Sequence, residues 1–166
     1  NIKAKRPFTV YLLLTLLVFL GLNGLAGGIG LAGDPSGEAI GFPLAWLENT
    51  PFNDYLIPGL ILFTVLGVFP IVVSVLLYFK PSWSAMRRLE QLAHQHWSWL
   101  ASLTVGITSV IWIVVQFLML GVRHPVQIGL EIIVINLGII IIAVSLMPAV
   151  RHYYALPNPA LLKSSL

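Results

Sequence analysis

The polar side chains with the most potential for chemistry lie inside long apolar segments of this sequence. Glu131 is the only formal charge within such a segment, roughly 7–8 Å from Val126 at a helical rise of about 1.5 Å per residue. Gln127 precedes it by one helical turn on the same face, and Gln116 and Asn23 occupy the corresponding ends of two other apolar segments. If the four converge, they can hold a cation, an amine or a proton, with Glu131 as the counter-charge. The pattern predicts an outward-facing ligand-binding pocket.

A purely structural role explains the same residues without any ligand. Glu131 lies close to the start of its segment, so its carboxylate can reach the membrane surface or pair with Arg123 or His124. The amide side chains can form hydrogen bonds between helices. Because a charge near the membrane surface costs little, the sequence favours this structural role and leaves the pocket as the alternative.

The histidines provide one arrangement that resembles a haem site. His94 and His96 are two residues apart, so a helix directs them to different faces and they form a poor chelating pair. His96 and His152 fall at corresponding ends of two apolar segments, as haem ligands in a four-helix bundle can. They are surrounded by Trp and Tyr residues, which are typical of the aromatic belt at a membrane surface. We therefore predict no cofactor and no metal site, with haem on this pair disfavoured.

Signatures of catalysis are missing from the sequence. The chain has no cysteine, which excludes thiolate catalysis, Cys-ligated zinc and iron–sulfur clusters. It contains no paired carboxylates within an apolar segment, no H-E-x-x-H, no G-x-S-x-G and no Gly-rich loop followed by Lys. The sequence thus favours a protein that is not an enzyme.

The overall composition is that of a membrane protein. Of the 166 residues 58% are hydrophobic and 9% charged, whereas soluble domains are about one quarter charged. The mean hydropathy of +0.93 also argues against intrinsic disorder. A net charge of +3, scattered along the chain, gives no indication of nucleic-acid binding. We expect the lipid bilayer to be the main partner of this chain.

The apolar segments predict an all-α, four-transmembrane-helix bundle in a single domain. Each is at least about as long as the roughly 20 residues that cross a bilayer, and they cover residues 8–32, 55–79, 99–120 and 126–150. Eight of the nine Lys and Arg residues fall on one side of this arrangement, namely Lys3, Lys5, Arg6, Lys80, Arg87, Arg88, Arg151 and Lys163. Because short basic loops stay in the cytoplasm, both termini are predicted to be cytoplasmic.

Two connections between the spans are expected to be ordered. In the external loop, residues 33–54, the sequence Asp34-Pro35-Ser36-Gly37 favours a type I turn directly after the first span, and we predict a structured cap over the bundle. Residues 81–97 alternate apolar and polar side chains at helical spacing. They predict an amphipathic helix on the inner membrane surface, with a docking surface for a partner as the alternative.

Small residues predict how the spans pack. Gly21, Gly24 and Gly28 share one face of the first span, and Thr64 and Gly67 belong to a comparable stripe in the second. In lipid, close backbone approach through such residues holds helices together. We therefore expect the two stripes to serve helix packing.

Three stretches resemble an uncharacterised family of small bacterial four-span membrane proteins. They read DPSGEAIGFPLAWLENTPFNDYLIPGLIL, HWSWLASLTVGITSVIWIVVQ and LMPAVRHYY. The resemblance covers nearly the whole chain and implies a location in the bacterial inner (plasma) membrane. It brings no activity and no functional residue with it.

These observations lead to a hypothesis with two alternatives. The first is a non-enzymatic accessory or structural subunit that packs with other membrane helices or with itself, because packing residues are plentiful and reactive groups scarce. The second is a small protein that binds or transports a small ligand, a cation or a proton through the pocket around Glu131. The third and weakest is a haem or quinone site.

Overall fold

The computed structural model describes residues 5–121 and 125–156, apart from the side chain of Val126. These residues are helical and contain no β-strand. Four helices are long and apolar enough to cross a membrane, which indicates a multi-pass membrane protein. In chain order the helices are α1 Phe8–Gly33, α2 Leu56–Phe79, α3 Arg87–Ala93, α4 Trp97–Leu120, α5 Pro125–Leu146 and α6 Pro148–Tyr154.

The two ends of the bundle are distinguished by what meets there. Arg6, Tyr78 and Tyr153 are in contact at one end, called here the terminal end. Leu31 and Tyr55 belong to a small apolar cluster at the other, the loop end, where the connection between α1 and α2 lies. The larger core lies toward the terminal end and contains residues of α1, α2, α4, α5 and α6.

The fourth span is shorter than the sequence predicts. Residues 126–150 were expected to form one helix, but α5 ends at Leu146, and Met147 adopts an extended backbone with ψ of 138° before α6 begins at Pro148. The ring of a proline disfavours the helical conformation in the residue before it, which explains the break. In addition, α4 begins at Trp97, two residues earlier than expected.

Helices α1 and α2 are in backbone contact through glycines. A Cβ added to Gly24 would overlap the backbone of Leu66 and Gly67, and one added to Gly28 would lie 2.6 Å from Cα of Phe63. This part of α2, Leu62–Val68, is a π-helical segment, in which each turn is wider than in an α-helix. The close approach therefore depends on glycine in α1 and on the π segment in α2.

Of the other residues predicted to serve helix packing, Gly21 faces α2 and Thr64 is exposed. A Cβ added to Gly21 would lie 2.5 Å from Cγ1 of Ile71. The hydroxyl of Thr64 donates to the carbonyl of Leu60, one turn earlier, at 2.8 Å. Thr64 thus lies at the surface of the described structure, and its role in helix packing stays a prediction.

Helices α4 and α5 form a second close pair that the sequence analysis missed. Cβ atoms added to Gly106 and Gly138 would lie 2.9 and 3.0 Å from the carbonyl oxygen of the other glycine. Nearby, the indole of Trp99 donates to the carbonyl of Ser145 at 2.8 Å. The break at Met147 removes the helical donor for that carbonyl, so the indole replaces it. Small residues spaced along these two spans were the available sequence signal.

The connection between α2 and α4 contains a shorter helix than predicted. The expected amphipathic helix over residues 81–97 is reduced to a 3-10 turn, Ser84–Met86, followed by α3, Arg87–Ala93. His94 ends the helix with a positive φ of 52°. The backbone amide of His96 then donates to the carbonyl of Tyr154 at 2.8 Å. Pairing with the segment after α6 competes with helix formation, and Trp97 becomes the first residue of α4.

The loop between α1 and α2 has hydrogen bonds at both of its ends. The amide of Gly37 donates to the carbonyl of Asp34 at 3.0 Å, which confirms the predicted turn. The carboxylate of Asp34 accepts hydrogen bonds from the hydroxyl and amide of Ser36 and from the amide of Ala39. These bonds, with the Ser36 hydroxyl first, lower the pKa of Asp34. At its far end, the amide of Tyr55 donates to the carbonyl of Pro35 at 2.9 Å.

Candidate functional site

A cavity of about 310 Å³ lies among the four long helices at the loop end. Its walls come from α1, α2, α4 and α5, and residues of the connecting loop, including Phe42 and Trp46, complete it. Pockets that bind small molecules have volumes of about 300–1,000 Å³, so this cavity can hold one small ligand.

Toward the terminal end the four long helices share one apolar core, and the cavity lies beyond this core, toward the loop end. The core includes Leu13 and Leu17 of α1 with Leu137 and Ile141 of α5, and all four are buried. Toward the loop end, α1 presents Gly27, whose missing side chain leaves space in the cavity wall. A Cβ at this position would meet only the side chain of Leu62, at 2.9 Å.

The polar wall of the cavity is formed by Gln127 and Glu131, one turn apart on α5. Their exposed fractions are 4% and 8%. The Nε2 amide of Gln127 donates to Oε1 of Glu131 at 2.9 Å and to the carbonyl of Gly121 at 3.0 Å. Oε1 of Gln127 is buried and has no hydrogen-bond donor within the described part of the chain. The wall therefore offers a buried carboxylate beside a buried carbonyl oxygen that accepts nothing.

The oxygen atoms of Gln127 and Glu131 have few hydrogen-bond donors among the described residues. A buried carboxylate without a cation or a proton is very unfavourable, and an unpaired buried amide oxygen costs about 1–3 kcal/mol. Across residues 5–121 and 125–156, no ion pair involves Glu131. Arg123 and His124, which the sequence offers as partners, lie outside the described residues. A ligand that brings a positively charged or hydrogen-bond-donating group would supply what the wall needs.

The other two predicted site residues line the same cavity from different helices. Gln116 of α4 is partly buried, whereas Asn23 of α1 is exposed and its Nδ2 donates to the carbonyl of Phe19 at 2.7 Å. The structure thus places Asn23, Gln116, Gln127 and Glu131 around one cavity, with two of them buried and two at its periphery. Their role as ligand-binding residues stays a prediction.

Most of the cavity surface was not foreseen from the sequence. Leu66, Trp112 and Ile113 form apolar parts of the wall, and Trp46 of the loop adds an aromatic ring. These residues carry no sequence signal, because an apolar side chain in a membrane span can equally face lipid or a neighbouring helix. The cavity as a whole is apolar with one polar wall, a combination typical of sites for small organic molecules.

The histidines named in the sequence analysis occupy the terminal end. His96 caps the start of α4, where its Nδ1 lies 2.8 Å from the hydroxyl of Ser98. Burial lowers the pKa of His96, although Glu90 at 3.8 Å acts in the opposite direction. His152 is exposed on α6. The described segments contain no group of three potential metal ligands, and the prediction that no haem is bound by this pair stays untested.

A cluster of cations and aromatic rings holds the terminal end together. Nζ of Lys80 lies 3.4 Å from the ring centroid of Tyr153 and donates to the Tyr153 carbonyl at 2.7 Å. Arg6 lies over the ring of Tyr78 at 3.8 Å and donates to its carbonyl. Burial, together with the charge of Arg6, lowers the pKa of Lys80 to about 8. Through these bonds the segment before α1 and the end of α2 are joined to Tyr153 of α6.

The chain was compared with known protein families, with curated proteins and with solved structures, and none of them matches. The residues around the cavity therefore have to be interpreted by their own chemistry. They define an all-helical membrane protein with an apolar cavity and one buried carboxylate.

Proposed function

We propose that this protein binds a small molecule in the cavity around Glu131, as a binding or transport protein of the membrane. The observation that carries the proposal is the buried pair on α5, in which Oε1 of Gln127, beside the Glu131 carboxylate, has no donor among the described residues. A buried ionisable residue in a membrane helix usually serves a ligand, an ion or a proton. An apolar cavity beside it gives the ligand somewhere to reside.

The surroundings of Glu131 support binding rather than catalysis. Among the described residues that line the cavity, Glu131 is the one titratable side chain. General acid–base or nucleophilic catalysis needs a second reactive group within hydrogen-bond reach. The other lining groups are amides, Trp indoles and aliphatic chains, which orient and enclose a ligand.

The charge pattern supports an orientation for this site. In the sequence, eight of the nine Lys and Arg residues fall on the side of the two termini, while Asp34, Glu38, Glu48 and Asp54 lie in the loop on the other side. By the tendency of basic loops to stay in the cytoplasm, both termini are cytoplasmic and the cavity lies in the external half of the membrane. The resemblance of the three sequence stretches implies the bacterial inner membrane, and we propose this location.

An accessory subunit that packs against other membrane helices is the second candidate function. It is favoured by Asn136, which lies exposed on α5 and whose Nδ2 donates, within the described residues, to the carbonyl of Ile132 at 2.7 Å. An amide facing lipid commonly forms hydrogen bonds with a second helix. Native mass spectrometry in mild detergent should then show a stoichiometric partner or a homo-oligomer, and a monomer alone would contradict this role.

Ligand binding can be tested with octanol and octylamine as probes. Wild-type protein in mild detergent should bind at least one of them saturably, as measured by native mass spectrometry and by a rise in the thermal unfolding midpoint. Gly27→Leu, which fills the cavity, should abolish this binding. Gly129→Leu is the matched control, since nothing lies within 4 Å of a Cβ at Gly129.

A second cavity-filling variant provides the same test if Gly27→Leu does not fold. Leu130→Trp adds bulk from a half-exposed lining position and should also remove binding. The proposal is refuted if neither probe binds the wild type saturably, or if both filled variants are folded and bind as the wild type does.

A further inference from the structure

The cavity reaches the protein surface between α1 and α5. Its lining residues on these two helices include Asn23, Leu130 and Ile133, which are all exposed. On the opposite side, Leu66 of α2 and Ile113 of α4 are buried at 1% and 6% exposure. Among the lining residues of the four long helices, the exposed ones lie on α1 and α5, and those of α2 and α4 are buried or partly buried, which places the opening on the α1–α5 side.

This opening lies at the depth of the lipid chains. Asn23 is ten residues from the end of α1 at Gly33, which corresponds to roughly 15 Å along the helix at about 1.5 Å per residue. Ile133 is eight residues from the start of α5 at Pro125, or roughly 12 Å. The hydrocarbon layer is about 30 Å thick, so both positions fall within it. At the loop end, Ile40, Phe42 and Trp46 of the connecting loop line the cavity.

The chemistry of the walls defines the ligand further. The buried acceptors, the Glu131 carboxylate and Oε1 of Gln127, match an ammonium group, which is only a donor and carries the opposite charge. The remaining walls match a hydrocarbon or aromatic body. A molecule with both parts dissolves in the bilayer with its charged head near the membrane surface.

We propose that the ligand is a small amphipathic amine that enters the cavity sideways from the bilayer, between α1 and α5. This inference rests on the proposed binding function and adds the class of the ligand and its route. The ammonium group binds Glu131 and Gln127, while the apolar body lies against Leu66 and Trp112. Asn23, which is exposed and lines the cavity, stands at this opening.

The ligand class is tested by comparing octylamine with octanol at pH 7, where an alkylamine is protonated. A hydrogen bond to a charged group contributes about 1.5–3 kcal/mol, so octylamine should bind about 10- to 100-fold more tightly. Glu131→Gln should remove this preference while octanol still binds. Ethylamine, which has the same head group without the apolar body, should not compete.

The route is tested with two asparagines that are alike in exposure and hydrogen bonding, of which only Asn23 lines the cavity. Asn23 and Asn136 are both exposed, and each donates its Nδ2 to the carbonyl four residues earlier at 2.7 Å. In lipid nanodiscs, Asn23→Trp should slow octylamine association by about tenfold or more, because the ring narrows the opening, whereas Asn136→Trp should leave the rate unchanged.

The outcomes separate this inference from the proposed function. Saturable binding of octanol and octylamine with equal affinity, as a Glu131 already paired inside the protein would give, overturns the amine while keeping the cavity as a binding site. Equal association rates for the two tryptophan variants overturn the lateral route. Absence of binding by both probes refutes the binding function itself.

Discussion

The contact between α1 and α2 can be tested by adding a single methyl group at Gly24. In Gly24→Ala, the new Cβ would overlap the carbonyl of Leu66 and lie 2.6 Å from the amide nitrogen of Gly67. Both obstacles are backbone atoms, so no side-chain rotation relieves the overlap. Either α1 and α2 separate along this contact, or the π segment of α2 has to rearrange.

The expected cost follows from two opposing effects. Overpacking a closely packed contact costs about 1–3 kcal/mol, and the upper end applies because the obstacle is backbone. Replacing glycine by alanine inside a helix stabilises the helix by at most about 1 kcal/mol. We therefore expect Gly24→Ala to lower the free energy of unfolding by about 2 kcal/mol.

Gly129→Ala is the matched control within α5. Nothing lies within 4 Å of a Cβ at this position, so the variant should gain up to about 1 kcal/mol from helix propensity alone. Reversible unfolding in mixed micelles of mild detergent and dodecyl sulfate, followed by circular dichroism, measures both variants. If Gly24→Ala is as stable as Gly129→Ala, the close α1–α2 contact described above is wrong.

Two further predictions concern the terminal half of the bundle. Trp99→Phe leaves the buried Ser145 carbonyl without its indole donor and should lower the free energy of unfolding by about 1–3 kcal/mol in the same assay. Trp83→Phe, at a 56% exposed position, is the control and should lower it by less than about 0.5 kcal/mol. Equal losses would contradict the role of the indole. The pKa of Lys80 is about 8 in the folded protein and 10.5 as its ordinary value, so the unfolded chain binds more protons between these values. The free energy of unfolding should therefore rise from pH 8 to pH 10, by less than about 3 kcal/mol because Lys80 is only partly buried. Lys80→Met should flatten this rise. An unchanged slope in the variant would show that Lys80 does not cause it.

Several features of the fold could be predicted from short stretches of sequence. A run of about 20 apolar residues has one stable form in a bilayer, so the four long helices followed directly from composition and length. The turn from Asp34 to Gly37 depends on residues next to each other in the chain. The glycines of α1 were assigned to a packing face by helical periodicity alone, and Gly24 lies at the backbone of α2.

Other features depended on contacts between distant residues. The helix over residues 81–97 is interrupted at His94 because the next residues pair with the chain around Tyr154. Thr64 lies in the π segment of α2, which the residue spacing of an α-helix does not anticipate. Both differences arise where tertiary contacts override a local helical preference.

The candidate site shows the same division. The sequence alone determined that Gln127 and Glu131 share one face of a helix, because they are four residues apart, and that few charges lie within the membrane spans. Only the tertiary structure decided that this face turns inward and that it lines one cavity together with Asn23 and Gln116. The physical reason is that the rotation and spacing of membrane helices are set by close contacts such as Gly24 with α2 and Gly106 with Gly138, which join residues far apart in the chain.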